Sequence, residues 1–515
     1  MKYIFVILWT VLIIGATLYV DNNYVDIFIT PKWLITNTIV FLLLAIVPYC
    51  KSFFHSSMSY LLEVIAMMVC FFEAIISLLQ YGGLIVSFGS FSAGSFDNAA
   101  GLCSCLALSF PLCFDFFDKM NNYEKGLFIS GKLICVLPII LYGARISIFS
   151  VIIVFLLMVC IKKRIRYKSL STLLLAAFLL VIFAFTKNGS TRGRLFIYER
   201  TFEMIREKPI LGWGKGGFAK KYMNFQENYF RNHPRDNARF LAGDIRNPLS
   251  DYLLIWVEYG SIAFLFVIIM ITFFFVAIFP KSDNEGNTGK LIILSIIIIA
   301  AFSYPFSYPF TWIMLAYAIT NTFKRFFIRR KRLTYKLHFL IIIIILISEH
   351  AIYKEVLVEK EWKKVTQRTK YPFSENLLSQ YASLYPKMHY SPEFLYNYSS
   401  VLYEIGKYNQ ACALAMESKS KASNYNVCLL LADIYRESGD IEKSVHFFKK
   451  AHYMCPSRIT PLYGIFSIYR QYGYTKIGRQ LAIRILAMPD KVISKDSKEI
   501  RQDLYNYVNN QQKNK

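Results

Sequence analysis

Long, almost uninterrupted runs of apolar residues constrain this chain more than any other feature of its sequence. Leu291–Ala301 and Leu340–Ile347 are two examples. A helix that crosses a bilayer needs roughly 20 mostly apolar residues, whereas a soluble core does not need such runs. The runs stop near residue 350, and the chain beyond them is charged and amphipathic. The sequence therefore predicts a membrane domain over 1–353 and a soluble helical domain over 354–515.

The apolar pattern predicts an all-α fold: a polytopic transmembrane bundle of about eleven spans, followed by a C-terminal α-solenoid. The candidate spans are 3–20, 33–49, 58–80, 99–117, 127–142, 146–161, 170–186, 250–279, 290–304, 307–323 and 337–353. The first run is interpreted as a span because no small-residue cleavage site follows Tyr19, as a removable signal would require. The last span is the weakest, since its strongly apolar part is short.

Basic residues set the predicted topology. The formal net charge is +25, and much of the surplus lies in short clusters beside the spans, which makes nucleic-acid binding a poor explanation. The clusters on even-numbered turns include Lys51, Lys119, Lys125, Lys281, the basic residues of 162–168 and those of 324–332. The positive-inside rule places these turns and the N-terminus in the cytoplasm. The loop 187–248 and the tail are then extracytoplasmic.

The tail contains an internal repeat. Gly406, Gly439 and Gly473 follow similar tyrosine-containing segments and are 33 and then 34 residues apart. This spacing is the tetratricopeptide period, in which a glycine closes the first helix of each pair. Such arrays commonly bind peptides or partner proteins in a groove. The alternative is a helical tail with incidental spacing.

The ten cysteines form no CxxC pair, and seven lie in or beside apolar spans. A Cys412–Cys428 disulfide is conceivable if the tail is in an oxidising compartment, but isolated thiols are the favoured interpretation. No metal-ligand spacing occurs, so the sequence predicts neither a metal site nor a cofactor.

Two short segments on the predicted extracytoplasmic face have alternative interpretations. Asp97 and Asn98 precede a span, where such residues either cap the helix or serve a site. Arg145 has apolar spans on both sides. Its planar guanidinium suits a phosphate or pyrophosphate, although an arginine in this position can also extend to the outer head groups.

The extracytoplasmic loop is the most basic external segment. From Lys187 to Arg246 it contains thirteen Lys or Arg against six Asp or Glu. This surplus fits an anionic ligand held at the membrane surface. The glycines from Gly212 to Gly217 either bring backbone amides close to phosphate oxygens or simply form a turn, and the turn is favoured.

The order of these motifs resembles a known family. An arginine at the outer end of a middle span is followed by a loop that opens with Gly193-Arg194 and continues with Pro209-Ile-Leu-Gly-Trp-Gly-Lys-Gly-Gly-Phe218. Asp251-Tyr-Leu-Leu and Glu258-Tyr-Gly260 come next. The chain resembles the O-antigen ligase and polymerase superfamily. The Gly-Ser-Phe-Asp-Asn segment and the stretch from Tyr222 to Phe230 resemble the subgroup with C-terminal tetratricopeptide repeats.

The resemblance implies a metal-independent glycosyl transferase of the bacterial inner membrane. Members move a glycan from an undecaprenyl-diphosphate carrier to lipid A core, protein or another glycan on the periplasmic face. By this resemblance Arg145 and Arg194 match the arginines that hold the diphosphate, and Arg192 is a close alternative to Arg194. Lys215, inside the glycine motif, is a further candidate contact.

The sequence departs from the family at the expected catalytic base. The family usually places a histidine just before the span that follows the loop, where this chain has Asn247 or Leu249. Asp251 or His233 could serve instead. A dissociative transfer that needs no base would also fit the sequence, and so would a protein that does not catalyse.

Three other functions compete with the ligase. A polysaccharide polymerase shares the same scaffold. A transporter would need buried charges along a path, and Glu63 and Glu73 in the third span are the candidates. A non-catalytic assembly platform would use only the repeats.

Overall fold

The computed structural model describes residues 2–46, 56–89, 93–163, 189–278, 286–323, 335–367, 375–489 and 494–513. Helices account for nearly all regular structure in these residues, which confirms the all-α prediction for them. The predicted span 170–186 lies outside the described residues. So do Lys51, Lys281 and the basic residues of 164–168 and 324–332.

The chain divides into two compact units. The membrane unit comprises the described parts of Met1–Phe185, Leu249–Tyr252 and Phe266–Thr366. The loop-and-repeat unit comprises those of Thr186–Pro248, Leu253–Leu265 and Gln367–Lys515.

The membrane unit is built from helices with apolar sequences. They are α1 (Lys2–Thr17), α2 (Ile29–Ile46), α3 (Ser56–Tyr81), α4 (Ala99–Ser109), α5 (Asn122–Leu141) and α6 (Arg145–Lys163). Most of them pack around one large apolar core, in which the indole of Trp9 lies 5.8 Å from the ring of Tyr317. A 3₁₀ segment, Phe114–Lys119, joins α4 to α5. The buried face of each helix is apolar because these are the residues that gain most from tight packing.

Three described helices are long and apolar enough to cross a bilayer: Ser57–Tyr81, Arg145–Lys162 and Asp251–Val276. Shorter apolar helices are Tyr3–Thr17, Ile29–Leu44, Ala99–Ser109 and Asn287–Phe302. The count of about eleven spans therefore stays a prediction.

The loop contributes α7 (Gly189–Glu207) and α8 (Gly217–Asn232), and α9 (Asp251–Phe273) follows it. α9 is interrupted at Gly260, whose φ of 76° and ψ of −175° are not helical. The membrane unit then continues with α10 (Asn287–Phe302), α11 (Pro309–Thr322) and α12 (Tyr335–Gln367). α12 runs unbroken across residue 353, where the sequence suggests a domain boundary; that boundary stays a prediction.

The tail is a series of helix pairs. Its helices are α13 (Glu375–Met388), α14 (Pro392–Glu404), α15 (Tyr408–Lys421), α16 (Tyr425–Glu437), α17 (Ile441–Met454), α18 (Thr460–Gln471), α19 (Thr475–Leu486) and α20 (Lys495–Lys513). Gly406, Gly439 and Gly473 follow the first helix of successive pairs, with φ between 75° and 85°. Only glycine adopts this left-handed conformation without cost, which explains its recurrence at the repeat period.

Neither Cys412 nor Cys428 forms a disulfide. The Cys428 side chain is buried, and the Cys412 thiol donates to the Tyr435 hydroxyl oxygen over 3.3 Å. The isolated-thiol interpretation is the one that the structure supports.

Candidate functional site

Arg145 is the first residue of α6, in the turn that connects it to α5. Gly143 has a φ of 63°, and the Arg145 amide donates to the Gly143 carbonyl over 2.9 Å. The side chain is half-buried. Arg145 therefore lies at the end of an apolar helix, as its sequence position predicts.

Arg192 and Arg194 lie on the first turns of a helix, α7, rather than on an open loop. Arg192 is exposed, whereas Arg194 is half-buried and donates a hydrogen bond to Tyr198 one turn later. A helix fixes the spacing and direction of both guanidinium groups, which an extended loop would not. Their role as diphosphate contacts stays a prediction.

Arg200 is a candidate residue that sequence reasoning missed. It is only 7% exposed, and its guanidinium carbon lies 3.8 Å from the centre of the Tyr229 ring. One of its nitrogens pairs with Glu203 over 2.9 Å. In the sequence it is one of thirteen basic residues in the loop, and no local signal separates it from the others.

Tyr229 connects Arg200 to His233 and Asp236. The His233 ring stacks on the Tyr229 ring at 4.7 Å, and the Tyr229 hydroxyl donates to the Asp236 carboxylate. The Ala238 amide, together with this hydroxyl, holds the pKa of Asp236 below its usual value. His233 is exposed, so a bound acceptor could reach its imidazole.

Asp251 is buried at the start of α9. Its carboxylate accepts from the Phe306 amide over 3.2 Å, and its own amide donates to the Ser303 carbonyl over 3.1 Å. These contacts join the turn before α11 to the start of α9. They favour a positioning role for Asp251, and its role as a base stays a prediction.

The glycine motif forms a turn that is fastened to α9. The Trp213 and Gly214 amides donate to the carbonyl oxygens of Val257 and Glu258 over 2.8 and 2.9 Å. The Gly216 and Phe218 amides donate to the Glu258 carboxylate. The motif's amides are therefore largely occupied within the chain, which supports the turn rather than a phosphate-binding nest.

Close backbone approach explains two glycines of this turn and α9. A Cβ atom at Gly212 would lie 2.5 Å from the Val257 carbonyl oxygen, and one at Gly260 would overlap the Ile210 carbonyl. Both glycines also have positive φ. Lys215 is exposed on the turn and close enough to act electrostatically on Glu258.

The stretch from Tyr222 to Phe230 contacts the repeats. The Gln226 side-chain amide donates to the Gly243 carbonyl over 2.9 Å and to the Met454 carbonyl at the end of α17 over 2.5 Å. The Glu227 carboxylate pairs with Arg231 and, over 3.2 Å, with Lys450 of α17. α8 thus packs against the second helices of two repeat pairs, α15 and α17.

The segment around Asp97 is part of a buried hydrogen-bond network. Asn98 caps α4 by accepting from the Gly101 amide over 3.0 Å, as one of the two sequence interpretations expects. Asp97 accepts from the Tyr308 hydroxyl over 2.8 Å. Glu73 accepts from the Ser95 amide and hydroxyl over 2.7 and 2.9 Å.

Glu63 has equally complete coordination elsewhere in the membrane unit. It accepts from the Tyr317 hydroxyl, from the Cys113 amide over 2.5 Å and from the Asn321 amide over 3.3 Å. Glu63 and Glu73 therefore hold separate loops. Both carboxylates already accept hydrogen bonds from the chain, whereas an ion-transport path would need carboxylates available to bind the ion. This weakens the transporter alternative.

Over the described ranges, no three His, Cys, Asp or Glu side chains group closely enough to hold a metal ion.

Comparisons with known proteins agree with the motifs. Residues 131–268 match the O-antigen ligase family, and residues 425–458 match the tetratricopeptide repeat family. The first match includes Arg145, Arg192, Arg194, Lys215, His233 and Asp251. No curated protein matches the chain.

One similar solved structure is the crystal structure of the yeast Tom70. It has 9% sequence identity and a TM-score of 0.28, and the alignment covers 92% of this chain and 96% of that one. A likeness at this level supports no inference about this chain. The two family matches agree with the resemblance to the O-antigen ligase superfamily and to its subgroup with tetratricopeptide repeats.

Proposed function

We propose that this protein transfers a glycan from an undecaprenyl-diphosphate carrier to an acceptor at the extracytoplasmic face of the bacterial inner membrane. The acceptor is lipid A core, a protein or another glycan. The observation that best supports this function is that the segment matched by the O-antigen ligase family includes both the basic helix α7 and Arg145. Arg145 lies at the end of an apolar helix. Ligase-like transfer is the first candidate, and polymerisation on the same scaffold is the second.

The proposed reaction breaks the bond between the anomeric carbon and the diphosphate oxygen. The acceptor hydroxyl oxygen forms the new bond, its proton leaves, and the diphosphate departs on its lipid. Arg145 and Arg194 would stabilise the charge that develops on this leaving group, with Arg192 and Lys215 as additional contacts. Fixed cations in a water-poor site are effective because they need no reorganisation during the reaction.

The acceptor proton has two candidate destinations. His233 is exposed and stacked on Tyr229, so it is the accessible one. Asp251 is enclosed and accepts from Phe306, so it would have to leave that contact first. A strongly dissociative transfer would need neither. Among the candidate bases we favour His233, because a base must come within hydrogen-bond range of the hydroxyl.

The proposed topology follows from the basic clusters. The N-terminus is cytoplasmic, and residues 187–248 and the repeats are periplasmic. In the loop-and-repeat unit the second helices α15 and α17 are occupied by α8. A protein partner or acceptor would therefore bind the first helices of the pairs, α14, α16 and α18.

Arg194→Ala tests this function. Loss of one charge-stabilising donor typically lowers turnover about 100- to 1,000-fold, and we expect a loss of this size. The measurement is transfer of a lipid-linked glycan by purified protein, together with surface glycan in cells. Arg206→Ala is the matched control, because Arg206 is exposed at the other end of α7 and is expected to leave transfer unchanged.

Unchanged transfer by Arg194→Ala and by Arg145→Ala, at normal protein abundance, would support a non-catalytic platform instead. Labelling that places residues 187–248 in the cytosol would also end the proposal. A deletion strain separates the two reactions, since accumulated lipid-linked polymer indicates a ligase and a single capped unit indicates a polymerase.

A further inference from the structure

The membrane unit contains a cleft of about 290 Å³ between the 3₁₀ segment, α5 and α6. Its walls are aromatic and aliphatic, and they include Phe114, Phe117, Phe128, Leu133, Phe155 and Met158. The volume is close to the lower end of ligand sites in proteins, roughly 300–1,000 Å³. Leu133 is 62% exposed and Phe155 is 53% exposed, so the cleft opens outward on a surface rich in apolar side chains.

A buried ammonium group lies behind this wall. Lys132 is 9% exposed, and its Nζ is 4.3 Å from the centre of the Phe128 ring and 5.0 Å from that of Phe110. Within the described part of the chain, this Nζ has no hydrogen-bond acceptor. Glu63 acts on it electrostatically, but its carboxylate accepts from Tyr317, Asn321 and Cys113.

A second ammonium group lies at the mouth of the cleft. Lys162, near the end of α6, has its Nζ 3.9 Å from the centre of the Phe117 ring and 2.6 Å from an Asp118 oxygen. The Asp118 side chain is 82% exposed and that of Lys162 is 29% exposed. An ion pair this open to solvent contributes little, so another anion can replace Asp118 as the partner of Lys162.

We propose that this cleft binds an anionic phospholipid, with an acyl chain against the aromatic wall and the phosphate at Lys162. Lys132 adds attraction for the negative charge from behind the wall, where the low dielectric weakens screening. A free phosphate would leave the apolar wall uncovered, and a lipid without net charge would bring no additional negative charge to the two ammonium groups. Each lysine close to a membrane surface favours anionic lipid by about fivefold.

This site is independent of the proposed transfer reaction. Arg145 and Lys162 lie at opposite ends of α6, a helix of 19 residues and therefore about 28 Å long. In the predicted topology Lys162 is at the cytoplasmic leaflet, whereas Arg145 is at the extracytoplasmic one. A phospholipid at Lys162 would be a resident ligand rather than the glycan carrier undergoing reaction.

The test uses purified full-length protein in a neutral detergent. Thermal unfolding is followed as phosphatidylglycerol, phosphatidylcholine of the same chain length, or glycerol 3-phosphate is added. We expect the apparent affinity for phosphatidylglycerol to exceed that for phosphatidylcholine by about 10-fold or more, and glycerol 3-phosphate to have no effect. Equal stabilisation by the two lipids, or stabilisation by glycerol 3-phosphate alone, would overturn the proposal.

Three variants and one control locate the site. Lys162→Gln should lower the preference for phosphatidylglycerol about fivefold, and Lys132→Met should lower it further. Leu133→Trp, which fills the cleft from an exposed position, should remove binding of both lipids. Lys119→Gln removes one exposed charge from the same 3₁₀ segment outside the cleft and should change nothing. Because Lys162 is on the surface, full lipid preference in a folded Lys162→Gln protein would contradict the assignment even if Lys132→Met fails to fold.

Discussion

The membrane unit and the loop-and-repeat unit bury charged side chains in different ways. In the membrane unit Glu63 and Glu73 are at most 1% exposed, and each accepts hydrogen bonds from two or more groups of the chain. In the loop-and-repeat unit Arg200 and Glu227 retain some contact with solvent and share their charge with partly exposed partners.

The difference follows from the surroundings. A bilayer supplies no water, so the carboxylates of Glu63 and Glu73 accept their hydrogen bonds from the chain itself. The carboxylates of that unit therefore fix irregular segments, such as those at Ser95 and Cys113. In the loop-and-repeat unit water can complete the coordination, and charged groups connect one helix to another, as Glu227 connects α8 to α17.

Glu73→Ala should cause the largest loss of folding stability of any variant proposed, and this loss should be in the membrane unit. It removes the acceptor for the Ser95 amide and hydroxyl, and it removes the carboxylate that acts most strongly on the buried ammonium of Lys32. Loss of one member of a buried charged set costs about 3–5 kcal/mol. We expect little monodisperse protein after detergent extraction, measured by size-exclusion chromatography and thermal unfolding.

The control is Glu124→Ala, which removes an exposed carboxylate from the cap of α5. A lost cap costs only about 1 kcal/mol, so this variant should remain folded. If Glu73→Ala were as stable as Glu124→Ala, the buried carboxylate would not be needed to hold the segment at Ser95. The proposed difference between the two units would then be wrong.

Gly260→Ala should release the glycine turn from α9. The new Cβ would overlap the Ile210 carbonyl, and the backbone of residue 260 has a positive φ. Strain of this kind costs up to about 3 kcal/mol, equivalent to about 100-fold in a local opening equilibrium. Hydrogen exchange at the Trp213 and Gly214 amides should accelerate by that factor.

Gly193→Ala is the matched control, because a Cβ there meets no atom within 4 Å. Its helical position predicts a slight gain in stability, about 0.4–1 kcal/mol. Unchanged exchange at Trp213 in Gly260→Ala would show that the turn does not depend on this close approach.

Mild acid should loosen the loop-and-repeat unit at His452 of α17. Burial, with a smaller effect of Arg484, lowers the pKa of His452 to about 4, whereas an unfolded histidine has a pKa of about 6.5. The unfolded chain therefore binds the proton first, and stability falls as the pH drops from about 6.5 towards 4. We expect a loss of about 2 kcal/mol near pH 5, measured by hydrogen exchange across α17.

His452→Gln isolates this contribution. The carboxyl of Asp433, whose pKa burial raises to about 6, acts in the opposite direction and is unaffected by the variant. The stability of the wild type relative to the variant should therefore fall by about 2 kcal/mol from pH 7 to pH 5. A constant difference would mean that His452 is protonated equally in both states.

Sequence patterns predicted the features that depend on local or periodic physics. Apolar runs identify membrane helices because the bilayer imposes both length and composition. The recurrence of Gly406, Gly439 and Gly473 predicts the repeats, because only glycine closes each first helix in a left-handed conformation. The motif order from Arg145 to Gly260 was sufficient for the family resemblance that residues 131–268 bear out.

Tertiary structure alone decided how individual polar groups are used. Arg200 is distinguished from the other basic residues of the loop by its burial and its contact with Tyr229. Glu63 and its partner Tyr317 are 254 residues apart in the sequence. The Gln226 side-chain amide donates to the Met454 carbonyl, 228 residues away in the sequence. Through this hydrogen bond, a residue of the family motif attaches α8 to the repeats. A one-dimensional pattern records which residues share a helix face. Which distant atoms meet across helices is decided when the chain packs, because most buried polar groups then form a hydrogen bond with a partner.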